Sequence, residues 1–278
     1  MEFRGAVVVV TGAAGGIGAA LGERFHDAGA TVVLSDLPGT ALERLTARLN
    51  ERRPNSAHTV FADVSLEHEN ERLVRDARRV AGPIDMFFAN AGVAMGTDVS
   101  SSESDWNTSF NVNVHAHRWA AKYLLPEWLA AGRGYFACTA SAAGVLAQIG
   151  SAPYSVTKHA AVAFAEWLSI TYGARGLRVS CLCPQGVNTA MLRGGDRASD
   201  AASKDTAAID ANAGNVVRVA GAVLEPHEVA DVVHDALVAE QFFVFPHPEV
   251  ADYLKLKASD PERWLGGMRK LQRRVFGV

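Results

Sequence analysis

VVVVTGAAGGIG, Val7 to Gly18, is an unbroken apolar run that ends in a glycine-rich turn. Four successive valines leave a strand no solvent face, so the segment reads as a strand covered on both sides, as in a parallel sheet. Beyond the turn, Ala20, Leu21 and Phe25 recur at helical spacing. In a strand–turn–helix unit the glycines have distinct jobs. Gly12 permits the tight turn, while Gly16 and Gly18 let backbone amides and the positive end of the helix approach a pyrophosphate. Ala14, Gly15 and Ile17 complete the candidate phosphate-contacting set. Glycines also end strands in proteins that bind nothing, so the weight comes from the turn's surroundings.

The next apolar run, Thr31 to Ser35, ends at Asp36-Leu37. A carboxylate at the end of a second strand accepts hydrogen bonds from a ribose and repels a 2′-phosphate, and neither Ala14 nor Gly15 supplies a compensating cation. The expected cofactor is therefore NAD rather than NADP. The alternative for Asp36 is a cap on the following helix.

Further β-rich runs follow at Ala6 to Val10 (the first), His58 to Phe61, Ile84 to Ala89, Gly134 to Thr139, Arg178 to Leu182 and Phe242 to Phe245. Between them lie helical patterns such as Leu42, Leu45 and Leu49, or Leu73, Ala77 and Val80. Such alternation predicts an α/β fold, a Rossmann-like doubly wound parallel sheet of seven strands with helices on both faces. At 278 residues one domain accommodates the whole chain, 1–278. Two parts stand apart from the sheet pattern. Residues 190–225 read as a substrate lid or insertion, because Ala198 to Ala222 is rich in small and polar residues; a surface loop is the alternative. Residues 247–276 read as a C-terminal helical extension.

A net charge of −3 leaves no positive field for a nucleic-acid backbone or an anionic membrane, so neither is an expected partner. The basic stretch Arg263 to Arg274 is interleaved with Trp264, Leu265, Met268 and Leu271, which predicts an amphipathic helix with a solvated basic face. Cys138, Cys181 and Cys183 are too few for a disulfide framework or a zinc site and are expected as buried thiols. With no signal-like N-terminus and no membrane-length apolar run, a cytoplasmic protein is expected.

Several motifs, in order and at consistent spacing, make the chain similar to the short-chain dehydrogenase/reductase family in its compact single-domain form. They are TGAAGGIG; Asp63-Val64; ANAG at Ala89 to Gly92; Asn113, seven residues beyond Trp106; Ser141; YSVTK at Tyr154 to Lys158; and PQGVNT from Pro184. The resemblance implies a nicotinamide cofactor. It implies that Asp63 and Val64 contact the adenine, that Asn90, with Ala91 and Gly92, stabilises the strand end beside the cofactor, and that Pro184, Gly186, Val187 and Thr189 lie near the nicotinamide. Two residues depart from the family pattern. Ala89 stands where an asparagine is usual, and Gln185 stands where glycine usually follows the proline, introducing a side chain beside the expected substrate region.

Tyr154 and Lys158 are four apart, one turn along a helix face. A phenol of pKa near 10 is a poor base at neutral pH, but an adjacent ammonium and a nicotinamide cation favour the phenolate. Tyr154 is thus the candidate general acid/base for an alcohol or ketone, with both residues also touching the cofactor. By resemblance, Ser141 polarises the substrate oxygen and Asn113 holds a water that links Lys158 to solvent. Ala142, Ala143, Leu146, Gln148, Gln185 and Met191 are the candidate pocket, mostly apolar, for a moderately hydrophobic secondary alcohol or ketone as small-molecule partner. A metal is not expected: His115 and His117 diverge on a helix, and with His159 they read as surface or interface residues. A homodimer or homotetramer is expected. The competing readings are a catalytically silent NAD-sensing module, which has no need of the Asn113, Ser141, Tyr154 and Lys158 set, and sugar-nucleotide epimerase chemistry, which normally needs a larger C-terminal domain.

Overall fold

The computed structural model describes residues 1–193 and 221–277. Its sheet has seven strands: β1 (Val7–Thr11), β2 (Thr31–Asp36), β3 (Ala57–Phe61), β4 (Met86–Ala89), β5 (Gly134–Thr139), β6 (Leu177–Leu182) and the two-residue β9 (Phe243–Val244). They pair in the order β3-β2-β1-β4-β5-β6-β9, every pair parallel. The valine run explains the layering. Val8, Val9 and Val10 are wholly buried, and because side chains alternate across a strand, Val7 and Val9 enter one core while Val8 and Val10 enter the other.

The first core is closed by α3 (Glu67–Ala81), α5 (Ala116–Ala131) and α6 (Ala152–Tyr172), through Leu73, Val74, Leu124, Ala161 and Leu168. The second is closed by α1 (Gly16–Asp27), α2 (Thr40–Arg52) and α7 (Pro226–Val238), through Leu21, Phe25, Leu42, Leu45, Val229 and Val233. Helices on both faces of a parallel sheet make the doubly wound, Rossmann-like single domain. The strand order reverses between β1 and β4, which opens a crevice at their carboxyl ends.

Three features lie outside the sheet pattern. The α4 helix (Glu103–Phe110) runs into α5 through a π-helical turn, Asn111–His115. A short pair, β7 (Gly186–Val187) with β8 (Val223–Leu224), ties the chain beyond β6 to the start of α7. At the C-terminus, α8 (Glu249–Ser259) and α9 (Pro261–Phe276) pack on each other, with Val250 and Trp264 buried. Apart from Gly221 and Ala222, the segment Ala198 to Ala222, read as a lid, lies outside the described residues. No described helix is long and apolar enough to cross a membrane.

Candidate active site

The glycines of the first turn are set by collision as well as by torsion. Gly12 and Gly16 have φ of 66° and 53°, in the left-handed region that L side chains rarely adopt. A Cβ on Gly18 would sit 2.0 Å from the Gly12 carbonyl oxygen and 2.6 Å from Asn90 Nδ2. A Cβ on Gly12 would sit 2.9 Å from Ala91 Cα, and one on Gly16 3.0 Å from Thr189 Cγ2. Backbone therefore lies where side chains cannot, and Thr189 stands over the turn. The α1 helix begins here with Gly15 as its N-cap, no side-chain cap and no acidic residue in its first turn. Its free amides and dipole are left for an anion. Gly15 itself has open space around its would-be Cβ.

Asp36, at the end of β2, does not cap α2, whose N-cap is Gly39. Its carboxylate accepts from Ala14 N and Leu37 N, each at 2.8 Å, so it is held against the turn with lone pairs to spare for ribose hydroxyls. The Leu37 side chain is exposed. After β3, Asp63 accepts from Ser65 N at 2.9 Å, and Val64 belongs to the first core. Asn90 knots three strand ends together. Its Nδ2 donates to Thr11 O at 3.0 Å, its Oδ1 accepts from Thr139 Oγ1 at 2.9 Å, and its backbone N, like that of Ala91, donates to Thr11 Oγ1. The exchange of asparagine for Ala89 leaves this knot intact, since Ala89 is a buried strand residue.

Ser141 follows β5, and its hydroxyl accepts from Ala143 N at 3.1 Å and donates to Pro184 O at 3.4 Å. Tyr154 lies in the first turn of α6, whose N-cap is Ser151, on the side of Ser141. Burial pushes the Tyr154 phenol above its usual value, and the nearby Ser141 hydroxyl opposes that shift. Lys158 is 2% exposed; its Nζ donates to Thr139 O at 2.9 Å and lies 5.6 Å from the centre of the Tyr154 ring. Burial lowers the Lys158 ammonium to about 8. The effect expected from charge alone, a depressed phenol, is thus not the resting state of these residues: desolvation dominates both groups.

Asn113 occupies the π-turn, a device that recurs at functional sites because it redirects one side chain out of helical register. Its amide is fully buried and locked: Nδ2 donates to Val93 O at 2.9 Å and to Thr157 Oγ1 at 3.0 Å, and Oδ1 accepts from Val93 N at 2.9 Å. A Cβ on Gly92 would meet Lys158 Nζ at 3.1 Å and Asn113 Oδ1 at 3.3 Å, so Lys158 and Asn113 converge on one glycine.

Beyond β6, Pro184 O accepts from Ala142 N at 2.8 Å, and Gly186 and Val187 form β7. The sequence gives no cue to what fixes this loop, His247. It is 2% exposed; its Nδ1 accepts from Gln185 N at 3.2 Å and its Nε2 donates to Gly186 O at 3.0 Å. Lys257 on α8 was likewise not legible. Its Nζ donates to Val145 O and Leu146 O at 2.8 and 2.9 Å, pinning the C-terminal helices to the loop after Ser141. A cavity of about 740 Å³ lies between that loop and α8–α9, lined by Ala142, Ala143, Leu146, Gln148 and Gln185 on one side and by Leu256, Arg263, Trp264 and Lys270 on the other. Met191 does not line it.

Of the histidines read as surface or interface residues, His117 is not at the surface: it is 1% exposed and lies beside the Cys138 thiol, while His115 and His159 are half-buried. The α5 helix is covered by α3 and the sheet along the His117 side, a contact that local spacing does not reveal. Cys138, Cys181 and Cys183 are buried free thiols, and no metal-binding cluster is present among the described residues.

Comparison with known proteins agrees with this architecture. The family model for short chain dehydrogenases matches residues 6–200. The chain is 34% identical over 264 residues to 1-deoxy-11-beta-hydroxypentalenate dehydrogenase of Streptomyces exfoliatus, covering 94% of this chain and 90% of that protein. Its structure is similar to that of a short chain dehydrogenase/reductase from Burkholderia phymatum in complex with NAD, with a TM-score of 0.85, 29% identity, and coverage of 94% of this chain and 96% of that one. In fold alone it is also similar to a short-chain dehydrogenase from Sphingobium yanoikuyae in complex with NADPH, with a TM-score of 0.75, 23% identity, and 95% of each chain covered. The chain belongs to the short-chain dehydrogenase/reductase family and is an oxidoreductase of that family.

Proposed function

We propose that this short-chain dehydrogenase interconverts a moderately hydrophobic secondary alcohol and its ketone with NAD(H), using Tyr154 as general acid/base. The observation that carries the reading is the Ser141–Tyr154 hydroxyl pair beside a buried Lys158, at the carboxyl end of β5 and next to the glycine turn. The cofactor, when bound, takes up or delivers the hydride of the carbinol carbon. Backbone amides of the turn from Gly12 to Gly18 hold its pyrophosphate, in a space that a Cβ on Gly18 would close. Asp36, already oriented by Ala14 N and Leu37 N, accepts from the adenosine ribose and disfavours a 2′-phosphate. Asn90, Val187 and Thr189 shape the nicotinamide end.

In oxidation Tyr154, once its own proton has left along Lys158 and the Asn113-held water to solvent, takes the alcohol O–H proton as the C–H bond gives up its hydride; in reduction the neutral phenol gives its proton to the carbonyl oxygen. Ser141 donates to the substrate oxygen, where negative charge develops. Lys158, at a pKa of about 8, carries its charge at neutral pH, and a cation 5.6 Å from the centre of the Tyr154 ring favours the phenolate by charge. Asn113, held rigid by Val93 and Thr157 and facing Gly92 with Lys158, positions a water for proton exit.

A silent cofactor-sensing role is less economical. It leaves unexplained why a hydroxyl pair, Ser141 and Tyr154, is kept beside the buried Lys158, since binding a nucleotide alone needs neither hydroxyl. The test is a spectrophotometric screen at 340 nm of cyclic, aromatic and steroidal alcohols and ketones with NAD(H) and NADP(H). Turnover is expected with NAD(H), and Asp36→Ala is expected to narrow the NADH-over-NADPH preference in binding titrations. Equal affinity of the unmodified protein for the two cofactors would overturn the assignment of Asp36.

A further inference from the structure

The C-terminal wall of the cavity has an arrangement that neither packing nor hydride transfer requires. Arg263, Gly266, Gly267 and Lys270 all line the cavity. They stand at i, i+3, i+4 and i+7, so they form one stripe along α9, two cations with a glycine pair between them. Glycine in a helix interior is unfavourable relative to alanine. In the first turn the glycines are explained by collision, but a Cβ on Gly266 or Gly267 would meet nothing within 4 Å. The pair therefore clears space on the cavity side without relieving any internal clash.

Arg263 and Lys270 enter none of the ion pairs found among the described residues, although α9 carries Glu262 and the adjacent α8 carries Glu249 and Asp252. Among the described residues the Arg263 guanidinium has no hydrogen-bond partner, while its backbone N donates to Asp260 Oδ1 at 3.0 Å. The opposite wall is mostly apolar, with the amides of Gln148 and Gln185 in it, and adjoins Ser141 in sequence through Ala142 and Ala143. Buried Trp264 and half-buried Leu256 also line the cavity. Lys257 anchors the whole wall, so its position relative to Ser141 is fixed.

We infer that the substrate carries an anionic group, of carboxylate type, at the end remote from its carbinol, and that Arg263 and Lys270 hold it above the Gly266–Gly267 gap. A planar guanidinium and a point-charge ammonium on one face suit a carboxylate, the guanidinium by two parallel hydrogen bonds. A cavity of about 740 Å³ accommodates a polycyclic skeleton between the two ends. This assignment rests on the alcohol/ketone reading of the site, and it adds the substrate class: hydroxy acids and oxo acids with a hydrophobic body.

The probes are lithocholate and trans-4-hydroxycyclohexanecarboxylate, each paired with its methyl ester. KM is measured with NAD, and binding is followed separately by intrinsic tryptophan fluorescence, since Trp264 lines the cavity. At least one acid is expected to show a KM about tenfold or more below that of its ester at similar kcat. Arg263→Gln combined with Lys270→Gln is expected to erase that difference, whereas Arg274→Gln, on the same helix but outside the cavity, leaves it. Both targeted residues are exposed, so the double variant should fold as the parent does. Equal KM for acid and ester, or a difference that survives the double substitution, would overturn the inference, as would failure of both acids to bind. If an acid binds, binding is lost in the double variant, and no alcohol of any kind is turned over, the anion site stands and the alcohol/ketone reading falls.

Discussion

The two ends of the crevice use glycine for opposite reasons. At the first turn, Gly18 is obligatory because its missing Cβ would lie 2.0 Å from a backbone carbonyl; on α9, Gly266 and Gly267 face open space. The side proposed for the cofactor is made of backbone and strand ends that Asn90 ties together, so its shape is over-determined by the core. The side proposed for the substrate is made of helix faces, held to the core through a few contacts such as Lys257 on Val145 O and Leu146 O. Conserving energy in one place and leaving room in the other is how a common scaffold can accept different substrates.

Substitutions that exchange the two kinds of glycine break or sharpen this contrast. The largest effect is expected from Gly18→Ala, which forces α1 away from the turn. Overpacking against backbone costs about 1–3 kcal/mol or more, so the melting temperature should fall by several degrees and NADH titration should lose its signal. Near-normal NADH affinity in that variant would refute the collision argument.

A comparable but pH-dependent effect is expected at Lys158. Its folded pKa, about 8, lies below the unfolded 10.5, so the folded state binds fewer protons than the unfolded state between these values. Stability should therefore rise with pH across roughly pH 8 to 10.5, and the burial penalty should be present in full below pH 8. Lys158→Met removes this contribution. Relative to that variant, the parent should gain up to about 3 kcal/mol between pH 7 and 10.5 in urea unfolding. A difference that is flat with pH would mean that Lys158 is not destabilised by burial.

The smallest effect belongs to α9. Gly266→Ala or Gly267→Ala should raise stability by about 0.5–1 kcal/mol, which is a melting-temperature gain of about 1–2 °C, because alanine gains helix propensity and meets no neighbour. A loss of stability in both variants would show that the gap has a packing role.

Much of the cofactor side was legible in the sequence. The valine run, the turn glycines, Asp36 and Asn90 are local signals, and each stands where a strand ends, so a correct strand order brings them together. Tyr154 and Lys158 were legible from helical spacing, but the direction of their pKa shifts was not, because desolvation depends on what covers α6. The π-turn under Asn113 leaves no trace in residue type. His247 and Lys257 act across 62 and 112 residues of chain, on Gln185 N and Val145 O, so no local pattern could report them. The basic stretch of α9 read as a solvated face because its spacing is amphipathic; only the fold reveals that Arg263 and Lys270 turn toward the cavity.

The proton role of Tyr154 carries the functional account, and Tyr154→Phe tests it with the ring and its packing retained. NADH affinity by calorimetry and turnover of the best substrate from the screen are measured on the same preparation. The account predicts unchanged NADH affinity and a turnover lower by about 10²–10⁴-fold, the usual worth of positioned acid/base help. Turnover within a few-fold of the parent, at unchanged affinity, would contradict it.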